Sequence, residues 1–378
     1  MKTAFDALGT RCAMLFTVLL ALAARPGAAA PVVYIAGDST VMTNGSHVSP
    51  QQGWGGRVHD LFTSAISFNN RAVGGRSSKS FIDEGRLAAI LTVIKPGDYL
   101  FIQFGHNDRR TDVRYYTDPF TTYKTYLAMY IDQSRQYGAI PVLVTPMGLR
   151  RYDSTGQFLN DFVDRSTAMK QLAAEKNVPL IDLNAKSIAF YNGIGVAATT
   201  DVFLWLQPNL YPNFPNGVSD ATHFQEYGAE QLARLVVQGT QENNLAMRSF
   251  IGAVTYPAEA GILSGAGTVR ERGYGGWQGS GYVNFPVNGG AMTINQVIGK
   301  AGGTRTLRVR YANGSAINLF GLLVVNGTTY SIGFNRTGAW STWTTKDIVV
   351  TLRSGTANSI SLKSIGGDLA NIDSITVL

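Results

Sequence analysis

At 378 residues, 45% of them hydrophobic, the chain is long enough for two domains and too apolar for a disordered tail. Its formal charge of +7 is a modest basic balance that suits an acidic partner such as a uronic-acid polymer, and no nucleic-acid partner is expected. The N-terminal apolar run is too short to span a bilayer and no later stretch is long enough, so no membrane partner is expected.

The first residues read as a secretory signal. Lys2 and Arg11 precede an apolar run at 13–24, followed by Pro26 and a small-residue tail at 27–30. Residues 1–30 are therefore expected to be removed, with cleavage after Ala29 or Ala30 and an extracellular product. Loss of Lys2, Arg11, Arg25 and Asp6 takes a net two positive charges from +7 and leaves about +5. The single cysteine, Cys12, lies inside this segment, so the mature chain has no disulfide and must be held by its cores. Sequons at Asn44, Asn313, Asn326 and Asn335 fit a secreted surface.

The first predicted strand, at 32–36, runs straight into Gly37-Asp38-Ser39-Thr40. A buried strand ending this way puts the Ser39 hydroxyl at the C-terminal edge of a sheet, where α/β folds keep their ligands. A loop entering a helix is predicted over 53–62, a strand over 66–69, and then the block AVGGRSSKS. Ser77 or Ser78 is expected to cap a helix carrying Phe81, Leu87, Ile90, Leu91 and Ile94. A third strand at 98–104 ends on GHND, and further strands at 140–145 and 179–183 alternate with helices. This alternation predicts a parallel sheet covered on both faces.

Three polar loops then share one sheet edge. The Ser39 and Gly75 N–H groups and the Asn107 amide are candidate donors to the oxyanion of a tetrahedral ester intermediate. Of the four histidines, His47 and His59 read as surface residues and His106 as one that orients its neighbours. His223 is the candidate base, with Asp220 three residues earlier able to curl back onto Nδ1.

GDST, GGRSS, GHND and DATH, in this order, resemble the four blocks of the SGNH (GDSL-type) hydrolase superfamily. With GWGG, EGR at 84–86 and YPNFPNGVSDATHFQEYGAEQLA, residues 31–240 resemble its rhamnogalacturonan acetylesterase family. The resemblance implies a flavodoxin-like α/β/α sandwich over 31–245. It also implies a nucleophile at Ser39, oxyanion donors at Ser39, Gly75 and Asn107, a base at His223 oriented by Asp220, and no cofactor for catalysis. The pocket is expected to be shaped by loops 109–119 and 197–218.

From about residue 250 the composition turns to Gly, Thr, Val and Asn, with short alternating runs that predict an antiparallel β-sandwich over 250–378. YPAE, RVRYANG, GAWSTW and NIDSITV resemble a family 35 carbohydrate-binding module. That resemblance implies a structural calcium on Glu259 and Asp373, although Pro257 stands where relatives often carry an acid. Trp277, Trp340, Trp343 and Asn371 are candidate sugar contacts, with Trp340 and Asn371 preferred. The whole reads as a secreted, monomeric esterase acting on acetylated pectic polysaccharide. Its rivals are an esterase for xylan or another acetylated glycan, and a non-catalytic cell-wall binding protein.

Overall fold

In the computed structural model, which describes residues 30–378, all but the last residue of the expected secretory segment, Cys12 included, lies outside the described residues. The first half is built on a parallel sheet of β1 (Val32–Gly37), β3 (Ser67–Asn70), β4 (Tyr99–Gln103), β5 (Ile140–Val144) and β6 (Leu180–Ile181). Their order is β3-β1-β4-β5-β6, and every pairing is parallel. Strand order reverses at β1, so the loops after β1, β3 and β4 leave the same edge at the switch point where such sheets bind ligands.

Residues alternate between faces along each strand. Val33, Ile35, Tyr99, Phe101, Val142 and Val144 feed one core, whereas Tyr34, Ala36, Leu100, Ile102 and Leu143 feed the other. The second core is closed by α3 (Thr122–Gln136) and α4 (Val163–Lys176), which supply Tyr123, Leu127, Tyr130, Met169 and Leu172. The predicted helix after GGRSS is two short ones, α1 (Ser78–Asp83) and α2 (Arg86–Leu91), because Gly85 adopts φ +71 between them. Ser77 caps α1 through a reciprocal box with Ser80.

Two features depart from the sequence reading. Residues 53–62 form 3-10 turns rather than an α-helix entry. Residues 197–218, expected as loop, include the end of α5 (Leu183–Val202) and β7 (Phe203–Leu206). β7 pairs with β8 (Val218–Gln225), which pairs with β2 (Gln51–Gln52) in a small antiparallel sheet. β8 leads directly into α6 (Glu226–Glu242).

The C-terminal half is the antiparallel sandwich anticipated. One sheet runs β10 (Ile262–Ser264), β13 (Ala291–Ile294), β18 (Ile360–Ser364), β15 (Leu319–Val325), β16 (Thr328–Phe334). The other runs β11 (Val269–Glu271), β12 (Tyr282–Phe285), β19 (Leu369–Val377), β14 (Gly303–Ala312), β17 (Thr344–Leu352), with β9 (Val254–Pro257) added against β19. Alternate residues such as Leu319, Gly321, Leu323 and Val325 point inward.

The connection between the halves is itself packed. Leu245, Met247, Ile251, Val254 and Tyr256 lie in the same apolar cluster as Val33 and Phe101 on one side and Val283 and Val377 on the other. Polar contacts cross the seam as well: Arg234 donates to the Thr255 carbonyl at 3.2 Å and Gln238 to the Gln296 carbonyl at 2.8 Å. Two of the sequons are also corrected in meaning. Asn313 is fully buried, with Nδ2 donating to the Ile317 and Phe334 carbonyls, and the Nδ2 of Asn44 is buried too, so neither presents its amide to solvent. Among the described residues no helix is long and apolar enough to cross a membrane.

Candidate active site

Ser39 stands in the turn that follows β1, where Val41 and Met42 N–H groups both donate to the Asp38 carbonyl. The turn rests on a buried polar chain. Asp38 Oδ1 accepts from the Thr40 N–H and hydroxyl, Gln103 donates to Thr40 Oγ1 at 2.9 Å, and Trp54 Nε1 donates to Gln103 at 2.7 Å. The GWGG segment lies directly against it: a Cβ at Gly55 would sit 2.5 Å from the Val41 carbonyl oxygen.

β8 delivers the other two residues. His223 Nε2 is 2.9 Å from Ser39 Oγ, and His223 Nδ1 is 2.7 Å from Asp220 Oδ2. Asp220 Oδ1 accepts from the backbone N–H groups of Thr222 and His223, so the acid is fixed by the stretch of chain that carries its partner. DATH therefore does curl back locally, but on a strand of the small sheet rather than in a free turn ahead of a helix.

Electrostatics follow from these contacts. Burial would raise the Asp220 carboxyl, but the His223 hydrogen bond and charge and the two N–H donors bring it down to about 2. Burial would lower His223, yet the Asp220 bond and charge, with help from Asp38, hold it above its ordinary 6.5. The pair thus holds Nδ1 protonated and leaves Nε2 facing the serine.

The glycine loop lies against the serine turn, and Asn107 is tied to that loop. Gly74 approaches so closely that a Cβ on it would lie 3.5 Å from Ser39 Cβ. Gly75 adopts φ +78, a region that disfavours any side chain even though the space around it is open. Among the described residues neither the Ser39 nor the Gly75 N–H donates to a protein acceptor. Asn107 Nδ2 donates one hydrogen to the Arg76 carbonyl at 3.1 Å, which leaves its second free. Arg76 in turn holds the Gly74 carbonyl at 2.8 Å and is fixed by Glu84, which also binds Arg86, so the EGR segment braces the glycine loop.

Asp38 and Asp108 carry no role in the sequence reading, and both matter here. Asp38 is fully buried; burial would raise its carboxyl, but the His106 charge and the Thr40 donors hold it below the ordinary range. His106 packs on Phe162 with ring centroids 4.5 Å apart, and its Nδ1 lies 3.5 Å from Asp38 Oδ2, a charge contact too long for a good hydrogen bond. Neither ring nitrogen has a hydrogen-bond partner among the described residues, so His106 meets the serine turn only through this contact with Asp38. Asp108 is raised to about 6 by burial and ties GHND to the start of α1 through Ser78 and to Thr117. Its only advance signal was a carboxylate closing an otherwise buried strand.

The other predicted residues are placed as follows. Trp340 stacks on Tyr274 at 6.3 Å, and both rings remain partly open to solvent. Trp343 donates to the Gly275 carbonyl, packs on Tyr282 and lies under the Arg310 guanidinium, so neither tryptophan of GAWSTW is in the core. Asn371 corrects the expectation. It lies on β19 rather than on a binding loop and is 1% exposed, because β12 and β14 flank it.

Glu259 and Asp373 are buried neighbours. Burial, helped by the Asp373 charge, outweighs the hydrogen bonds that would lower it and raises Glu259 to about 8. Its Oε1 accepts from the Ser280 N–H, whereas Oε2 is buried without a partner, which fits a cation on that side. Asp373 already accepts from the Gln278 N–H and contacts Arg310 and Ser374. Among the described residues no group of three or more His, Cys, Asp or Glu is placed to hold a metal.

Residues 35–231 match the GDSL-like Lipase/Acylhydrolase family, and the chain belongs to that family of ester hydrolases. Its relatives sharpen the assignment. The chain is 42% identical over 219 residues to the rhamnogalacturonan acetylesterase RhgT of Bacillus subtilis, covering 58% of this chain and 93% of that one. It is 46% identical over 220 residues to the probable rhamnogalacturonan acetylesterase YesY of the same organism, covering 58% and 96%. The solved family 35 carbohydrate binding module from Clostridium thermocellum is 34% identical across 34% of this chain and 98% of that one, with a TM-score of 0.32.

Proposed function

We propose that the protein is a secreted carbohydrate esterase that removes O-acetyl groups from rhamnogalacturonan by a Ser-His-Asp mechanism, with the sandwich holding it on pectic polysaccharide. The observation that carries the mechanism is the unbroken chain from Ser39 Oγ through His223 to Asp220 at 2.9 and 2.7 Å. Support for the substrate comes from the two acetylesterase relatives.

His223 Nε2 takes the Ser39 hydroxyl proton as Oγ bonds to the acetyl carbonyl carbon. The carbonyl oxygen becomes an oxyanion facing the Ser39 and Gly75 N–H groups and the free Asn107 hydrogen. Collapse breaks the ester C–O bond, and His223 passes its proton to the departing sugar oxygen. Water then attacks the acetyl-enzyme, gives its proton to His223, and Ser39 leaves with that proton as acetate departs. Asn107→Ala is expected to lower kcat by about 10²- to 10³-fold with little change in KM, since its donor matters most to the oxyanion. Steady-state kinetics on a chromogenic acetyl ester checks this; an unchanged kcat removes Asn107 from the hole.

The same reading includes a structural calcium between Glu259 and Asp373, supported by the unpartnered Oε2. Glu259 is raised above its unfolded value, so without a cation the proton it retains stabilises the fold below pH about 4.5, and that stability is lost as pH rises towards about 8. Added calcium is expected to raise Tm by several degrees at pH 8 and by less at pH 5. Identical melting curves in calcium and in chelator at both pH values exclude the ion.

The substrate is tested by acetate release from acetylated rhamnogalacturonan, homogalacturonan and xylan in parallel. Preference for the first is expected. Preference for xylan overturns the substrate while leaving the triad standing, and no release from any of them overturns the esterase.

A further inference from the structure

A cleft of about 710 Å³ opens between the two halves of the molecule. Trp205, Leu210 and Tyr211 line it from the esterase half, and Arg272, Trp277 and Ser280 from the sandwich. Trp277 is therefore turned to this cleft, whereas Trp340 stacks on Tyr274. The cleft also borders the catalytic strand. Gln225, two residues beyond His223 on β8, lines it, which is roughly 7 Å along a strand. Ser49 and Pro50, also in its wall, lead into β2, where Gln51 pairs with Gln225.

We propose that this cleft is a glycan-binding subsite built jointly by the two halves, which takes neutral, hydroxyl-rich sugar units of the polymer whose acetyl ester is held at Ser39; it rests on the esterase reading above. Trp277 and Tyr211 offer flat apolar faces to the C–H faces of sugar rings, and Trp205, one face of which is covered by the Arg150 guanidinium, adds an apolar edge or its other face. The charge balance selects the neutral sugar. The walls carry the carboxylates of Asp201, Glu226 and Glu230 against the single guanidinium of Arg272, which is already paired with Asp201 and donates to the Ser280 carbonyl at 2.6 Å. Arg57 holds Glu226 and Glu230 in place from behind but offsets their charge only in part. A uronate would meet surplus negative charge, whereas sugar hydroxyls can donate to these carboxylates. The packed seam keeps the two walls in register, so the sandwich extends the esterase's own substrate channel rather than serving only as a tether.

The test uses the full chain, soluble acetylated rhamnogalacturonan and p-nitrophenyl acetate. Trp277→Ala is expected to raise KM for the polymer about three- to tenfold, with kcat held and the small ester hydrolysed as before. Trp277→Phe should keep most of the affinity. Leu210→Asp, at a side chain 61% exposed and so harmless to folding, should raise the polymer KM in the same way. A neutral galacto-oligosaccharide should inhibit the polymer reaction competitively in the wild type and less in Trp277→Ala. An unchanged polymer KM in both variants overturns the proposal, as does equal loss on both substrates or inhibition by oligogalacturonate alone. A wild-type protein inert on p-nitrophenyl acetate as well as polymer instead overturns the esterase reading itself.

Discussion

Ser39→Ala is expected to lower kcat by about 10⁴- to 10⁶-fold while leaving the protein folded and still able to bind polysaccharide. The hydroxyl is the only atom removed, and it is the one that would bond to the acetyl carbon. The turn beneath it is held by groups the substitution does not touch: the Thr40, Gln103 and Trp54 chain and the Asp38 carbonyl. Melting temperature should therefore move little. The residual rate would come from the donors that remain, the N–H groups of residues 39 and 75 and the Asn107 amide. Acetate release followed beside circular dichroism separates the outcomes, and a variant that is folded and fully active removes Ser39 from the chemistry.

The second large effect is on Asp220. Asp220→Asn should cost about 10⁴ in kcat, because an amide no longer selects the tautomer with Nε2 free and no longer stabilises the imidazolium. It should also move the pH profile. His223 must be neutral to accept the serine proton, and its pKa lies above 6.5 through the Asp220 bond and charge. The acid limb of kcat/KM should therefore fall above pH 6.5 in the wild type and shift to lower pH in the variant. Stability carries the matching signs. The contribution from His223 is present below about 6.5 and fades as pH rises through its raised folded value, whereas that from Asp220 persists above about 4 and is lost as pH falls towards 2. A pH–rate profile whose acid limb does not move in Asp220→Asn contradicts this assignment.

The parallel sheet was legible because β1, β4 and β5 are short buried runs closed by polar or glycine residues, and Ser39, Gly75 and Asn107 sit in the loops that follow β1, β3 and β4. β8 was not, because VSDATHFQ has no apolar alternation; its pairing comes from β2, far away in sequence, and from β7 across an irregular loop. α5 escaped for a related reason. Its apolar residues are scattered round the helix and a non-helical Gly195 breaks it, so no single face marks it out. Side-chain direction was equally hidden. Nothing in GDST or GHND tells that Asp38 turns away from Ser39 towards His106, or in NIDSITV that Asn371 is buried on a central strand. The sandwich itself could be read from its alternating strands, but its joint core with the esterase half depends on Leu245, Met247 and Ile251, whose partners only the fold supplies.

The most direct measurement of the central claim is covalent labelling with a serine-reactive phosphonate ester, read by peptide mass mapping in the wild type and in His223→Ala. The account predicts one adduct, on Ser39 in the peptide containing GDST, formed in step with loss of acetate release and at least a hundredfold more slowly in His223→Ala. An adduct on another serine, or full inactivation with Ser39 unlabelled, would contradict it.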